Sequence, residues 1–308
     1  MRFPIFLCCA ALVLMSCSED AEAVEETPGP TTSDTPRVLV FTKTSGFDHN
    51  TRDESEAMVR QIAASQGFEV VVDNEGSAFE TAENLNAFQV IFFTNTSGNT
   101  LTQNQRDNVE AYAAQGGHFI SNHAASDGYG HSSASTVNGN GKGVWDWYAE
   151  NVTGCSVRNA PNHTAANFPA EVNVQNNTTA LVMGMAFPWN DEEEWYYWEG
   201  GYLNPQFQEL LRVANTGNQS FDQARMTAHY WELPDGGLSF YTSMGHAKNK
   251  YEDPQFVQLI ANAFEFMLEW DSLQRSSYND TNIVLDFFEV IHQRFFADNH
   301  RSGSGSVQ

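Results

Sequence analysis

Positive charge is scarce in this chain of 308 residues: 15 Lys and Arg face 39 Asp and Glu, for a formal net charge of −24. Nucleic-acid binding needs clustered Lys and Arg against the phosphates, so the balance speaks against it. A neutral or cationic small molecule remains an acceptable partner. Cysteine is scarce too. Cys8, Cys9 and Cys17 lie at the N-terminus, and only Cys155 falls in the part expected to fold, which leaves no intramolecular disulfide there. Several motifs are missing. There is no G-x-S-x-G or G-x-C-x-G elbow for a nucleophile. There is no G-x-G-x-x-G or G-x-x-x-x-G-K-[ST] loop for a nucleotide, and no HExxH or HxH pair for a metal. Cys155, in "TGCSV", reads as a small packed residue rather than a nucleophile.

What the N-terminus does contain is "MRFPIFLCCAALVLMSC": Arg2, an apolar run from Phe3 to Met15 too short to span a bilayer, and then Leu14 to Cys17. "LMSC" resembles a bacterial lipobox with a less usual Met15, an ordinary secretory signal being the alternative. The expectation is a signal peptide over residues 1–16 and a lipid on Cys17. It makes the protein an outer-membrane lipoprotein facing periplasm or cell surface, touching membrane only through that anchor. Residues 17–36, acidic and then rich in Thr and Pro, read as a flexible tether. No other segment is apolar and long enough to span a membrane.

Structure is expected from Arg37. "RVLVFTK" is a near-continuous apolar strand of the kind buried on both faces of a parallel sheet. A helical stripe at 52–66 stops at Gly67, strands follow at 68–73 and 89–95, and Thr102-x-x-Gln105 forms a capping box. The helix it opens ends at Gly116-Gly117, ahead of the strand "HFISN". This alternation predicts an α/β fold with a doubly wound, mostly parallel sheet and helices on both faces. The second half is less regular, with strands expected at 170–174 and 210–215. A hairpin is expected around Pro234-Asp235-Gly236-Gly237, then a helix from Pro254 to about Trp270. Residues 271–308 read as a C-terminal extension, an amphipathic helix around "NIVLDFFEVIHQRFF" and a frayed tail.

Open α/β sheets bind ligands beyond the carboxyl ends of their strands, and three loops expected there are polar and carry histidine. The first supplies Lys43, Asp48 and His49, the second His123 and Asp127, the third His246. Imidazoles suit proton transfer near neutral pH, and with neighbouring carboxylates they suit a divalent metal equally well. A fourth unusual stretch, "FPWNDEEEWYYWEGGY", packs four carboxylates between Trp189 and Trp195. It fits a sugar site, a solvated acidic turn ahead of an aromatic core strand, or a cation site.

"VLVFTKTSGFDHNT", "GGHFISNHAA", "EEWYYW" and "GGLSFYTSMGHAKNKYEDPQF" together resemble the trehalose-utilisation (ThuA-like) domain family, over about residues 37–270. The resemblance implies a flavodoxin-like sheet similar to class I glutamine amidotransferases without their nucleophilic Cys. It implies a link to the metabolism of sugars, including oxidised keto-sugars. The family's motif residues fall on His49, His123, Glu194, Tyr196, Tyr241 and His246. The chain departs from the pattern with Ser121-Asn122-His123 where Gly-Ile-His is usual, and with Thr164 after His163 where Pro is usual.

The expected function is that of an enzyme acting on a glycoside or keto-sugar by acid–base chemistry. His123, His246, His49 and Glu194 are the candidate catalytic residues, with Lys43, Asp127, Trp195, Tyr196 and Tyr241 placed on the substrate. The alternatives are a non-catalytic sugar-binding lipoprotein and a metal-dependent hydrolase. No cofactor is evident beyond a divalent metal compatible with the His and Glu set.

Overall fold

A computed structural model describes residues 35–129, 131, 143–158, 160–199 and 204–279. Cys17, the expected signal peptide and most of the tether lie outside the described residues, as does the chain from 280 onward. Elements run in the order β1 (Arg37–Phe41), α1 (Arg52–Gln66), β2 (Glu69–Asp73), α2 (Ala82–Leu85), β3 (Val90–Thr94), α3 (Gln103–Ala113) and β4 (His118–Asn122). Then come α4 (Asp146–Tyr148), β5 (Phe168–Val174), β6 (Trp189–Glu193), β7 (Gln208–Val213), β8 (Arg225–Glu232), β9 (Leu238–Thr242) and α5 (Pro254–Asn279).

Strand alternation shows why helices cover both faces of the parallel strands. Val38 and Val40 of β1 join a buried cluster with Met58, Val59 and Ile62 of α1 and Phe256, Ile260 and Phe264 of α5. Leu39 and Phe41 point the other way, into a cluster with Leu85 of α2, Val109 and Tyr112 of α3 and Tyr148 of α4. Punctuation follows the sequence. α1 stops where Gly67 takes φ +78° and donates to the Ala63 carbonyl. α3 opens on the capping box of Thr102 and Gln105, and Asp253 caps α5 by accepting from Gln255 and Phe256 N–H.

One sheet of nine strands holds the fold together, in the order β2-β1-β3-β4-β9-β8-β7-β5-β6. Its first five strands pair in parallel and the remaining four join antiparallel, so the sheet is mixed rather than mostly parallel. The correction has a geometric cause. A parallel neighbour needs a crossover of about a dozen residues, usually helical, and β8 reaches β9 through only the short Pro234–Gly237 turn. β6, at the edge, is a strand where the sequence suggested a turn. No helix among the described residues is long and apolar enough to cross a membrane.

The same core buries titratable groups. His229 on β8 is fully enclosed, its Nε2–H donating to the Thr153 carbonyl (2.8 Å) and its ring stacked 5.2 Å from that of Trp231. Burial pushes its pKa from 6.5 down to about 3. As pH falls from about 6.5 toward 3 the unfolded chain takes up a proton that the folded one refuses. Stability from this group is therefore present above that window and lost within it, by at most about 1.4 kcal/mol per pH unit. His229→Gln keeps a donor for Thr153. Urea denaturation between about pH 4 and 6 is expected to show a pH slope shallower by up to one proton in this variant than in the wild type.

Candidate metal centre

Each of three parallel strands ends in a loop that delivers one imidazole. His49 follows β1, His123 is the first residue beyond β4, and His246 lies just past β9. His123 turns the chain sharply by adopting φ +46°, a left-handed conformation costly for any residue with a Cβ. The antiparallel half supplies the fourth member, Glu194, immediately after β6.

The four side chains meet. His123 Nε2 lies 3.2 Å from His49 Nε2 and 3.3 Å from His246 Nδ1. Glu194 Oε2 lies 3.5 Å from His123 Nε2, 3.4 Å from His246 Nδ1 and 3.8 Å from His49 Nε2. All four atoms fall within 4.8 Å of one another. Bonds of about 2.0–2.2 Å to a tetrahedral ion give donor–donor edges of about 3.3–3.6 Å, and the five separations just given lie near that size, as expected of ligands around a metal.

Protonation follows from the outer contacts. His123 Nδ1 sits 2.8 Å from the Ser243 carbonyl, which only accepts. Nδ1 therefore carries the proton, and Nε2 offers a lone pair to the centre of the cluster, the arrangement that second-shell carbonyls impose on metal-bound histidine. Burial drives the His123 pKa down to about 4, which keeps the ring neutral. Burial alone would raise Glu194, but the imidazoles around it prevail and hold the carboxylate well below its usual range. Burial would lower His246, yet the Glu194 carboxylate beside it pushes it up.

A second set of contacts holds the quartet still. His163 Nδ1 donates to the Thr164 carbonyl at 2.7 Å and lies 3.1 Å from Glu194 Oε1, on the side of the carboxylate away from the three histidines. Glu193 is fully buried and accepts from Gly245 N–H (2.8 Å) and His246 N–H (3.1 Å). Its desolvation raises its pKa to about 7 despite Lys250, which lies 4.0 Å away and is ion-paired to Asp191 and Asp253. Asn95 Nδ2 lies within 2.9 Å of Thr51 Oγ1, the Gly245 carbonyl and the Tyr251 hydroxyl, while Asn122 reaches Met244 and the same hydroxyl, lacing the three loops together. Gly245 has φ +113°, and a Cβ there would stand 2.2 Å from Asn122 Nδ2, so no larger residue fits.

Other candidates fall elsewhere. Trp195, expected to hold a sugar, is fully buried with its indole N–H on the Phe168 carbonyl (2.7 Å), so no ligand reaches its faces. Tyr241 is equally buried, its hydroxyl donating to the His123 carbonyl and meeting Ser126, a support for the loop instead of a substrate contact. Tyr196 lies 4.7 Å from His123 in a stack and orients that imidazole. Lys43 gives its ammonium to the Glu75 carbonyl (2.9 Å), not to the cluster. Asp127 is buried beneath the site; after burial itself, its charge is the next cause raising the Tyr196 hydroxyl pKa. Burial also pushes the Cys155 thiol up, so it supplies no thiolate.

His163 and Glu193 stand at the site without being among the candidates that the sequence offers. For Glu193 a signal existed. In "WNDEEEW" the residues 189, 191, 193 and 195 alternate onto one face, and a strand with Trp at both ends buries the carboxylates between them. For His163 no local pattern exists, because only tertiary pairing of 163 with 196 brings it to Glu194.

A family model described as trehalose utilisation (ThuA) matches residues 37–267. No curated protein matches the chain significantly. Among solved structures the chain is similar to a ThuA-like protein from Bacteroides uniformis, at 18% identity and a TM-score of 0.56, over 76% of this chain and 93% of that one. It is also similar to a ThuA-like protein from Parabacteroides merdae, at 14% identity and a TM-score of 0.51, over 74% of this chain and 88% of that one. At these identities the likeness is one of fold.

His163→Ala is expected to leave the thermal midpoint nearly unchanged, its side chain being 30% exposed. It is expected to weaken divalent-ion binding by about ten- to a hundredfold, as loss of an outer-shell partner does. Competition with a chromophoric chelator measures the difference.

Proposed function

The chain belongs to the trehalose-utilisation (ThuA) family, and on that premise we propose that it is a metal-dependent enzyme of carbohydrate metabolism acting on a glycoside or keto-sugar. The ion is held by His49, His123, His246 and Glu194. One observation carries the reading: four ligand atoms from four separate chain segments gather within 4.8 Å of one another, one of them with its tautomer fixed by a carbonyl. A divalent ion held by these four residues, with a further coordination position open, would supply Lewis-acid polarisation of a substrate oxygen or an acidified bound water.

A polar cavity of about 680 Å³ lies along β6, lined by Asn167, Asn190, Asp191, Glu192 and Lys250 among others; none of His49, His123, His246 and Glu194 lines it. Its wall offers donors and acceptors to hydroxyl groups. A second reading, direct acid–base catalysis by His246 and Glu194, draws support from the raised pKa of His246 beside the carboxylate. The proposal includes attachment to the outer membrane through a lipid on Cys17, supported by the "LMSC" sequence.

The test is metal analysis of the purified protein with turnover of trehalose, other disaccharides and 3-keto-glycosides, before and after EDTA. Activity lost with the chelator and restored by Zn²⁺, Mn²⁺ or Co²⁺ is expected. His123→Ala and Glu194→Gln are each expected to lower metal affinity by about a hundredfold or more. Full activity in a metal-free sample would favour the acid–base reading, and sugar affinity without turnover would retire the enzyme.

A further inference from the structure

The metal centre lacks one thing that a sugar site needs: Trp195, Tyr196 and Tyr241 are all buried, so none of the aromatics expected to face the substrate does so. Among the described residues the large exposed hydrophobics are Phe47, Val144 and Phe221. Phe47 is the most exposed of them, at 62%, and it stands at the cluster. Its ring lies 4.8 Å from that of His49 at an interplanar angle of 75°. Phe221 is already covered by a guanidinium, that of Arg158 at 4.1 Å.

The loop bearing Phe47 is not a slack surface turn. Ser97 Oγ donates to the Phe47 carbonyl at 2.6 Å, and Thr44 Oγ1 donates to it at 3.2 Å. Ser45 and Gly46 N–H both donate to the Ser97 carbonyl, at 2.8 and 3.0 Å. The two loops touch so closely that a Cβ on Gly98 would come 2.6 Å from Gly46 N. Glycine there permits the approach. A backbone tied down at this density presents an aromatic face that loses little freedom when a ligand covers it.

We propose that Phe47 is the substrate-positioning platform of this site, stacking against the apolar C–H face of a neutral pyranose ring whose oxygens reach the centre at His49. A neutral ring suits the environment, since the acidic balance of the chain and Glu194 itself repel an anionic sugar. The inference rests on the reading of the site as a carbohydrate-handling metal centre, and it makes no use of the identity of the ion.

The experiment is calorimetric titration of the wild type and of Phe47→Ala, Phe47→Leu and Phe47→Trp with trehalose, methyl α-glucopyranoside and the methyl 3-keto-glucoside. Bound metal and thermal midpoint are recorded for every protein. Phe47→Ala is expected to weaken Kd, and KM where turnover occurs, by about three- to tenfold with kcat little changed, as loss of one ring contact implies. Phe47→Trp is expected to restore affinity and Phe47→Leu to restore it only in part. Metal content is expected to be unchanged throughout. Equal affinity of Phe47→Ala and wild type for all three sugars overturns the proposal, as does absence of binding by the wild type. Loss of metal in Phe47→Ala overturns it too, by making the ring a mere prop for His49. A protein that holds no metal yet still loses sugar affinity in Phe47→Ala sinks the metal reading while sustaining the platform.

Discussion

A carboxylate oxygen and three imidazole nitrogens gather within 4.8 Å of one another, and the most buried of the rings has its proton fixed on the far side. Lone pairs gathered this way repel unless something positive stands between them. The rest of the site is organised around that demand. Glu193 grips the backbone of His246, His163 grips the far oxygen of Glu194, Tyr196 and Tyr241 wedge His123, and the Asn95–Asn122–Tyr251 network fastens the loops. Such supporting contacts restrict a ligand set to one arrangement and so lower what binding must overcome.

The architecture explains where the donors come from. Parallel strands turn their carboxyl ends the same way, so β1, β4 and β9 place His49, His123 and His246 at one rim of the sheet. The turn at His123, strained and set between a strand and a helical segment, is the kind that carries a nucleophile in elbow-type enzymes. Here it carries an imidazole. Glu194 arrives from the opposite half, where antiparallel pairing brings β6 to the edge and the chain folds back along residues 157–164.

The parallel half was legible in the sequence, because its signals are local. A capping box, a left-handed glycine and apolar runs such as "VIFFT" each determine their own element. The three histidine loops were legible through topology, since strand direction alone sends them to one rim. The antiparallel half was harder: pairing partners there depend on contacts distant in sequence, and β6, rich in acid, carries little strand propensity. Aromatic roles were misassigned for a related reason. The cluster at residues 195–198 is rich in aromatic character, but burial is decided by what packs on it, and what packs on Trp195 is core. The isolated Phe47, inconspicuous beside Asp48 and His49, is the ring left in the open.

The acidic strand β6 has a further consequence as the last member of its sheet. Its outer backbone edge, with no tenth strand beside it among the described residues, is a row of hydrogen-bonding groups that offers a template to another chain. Asn190 and Glu192 face solvent while Asp191 and Glu193 face inward. One short run thus divides its labour by parity: its inward acids hold the scaffold in place, and its outward pair sets an amide and a carboxylate along the last strand of the sheet.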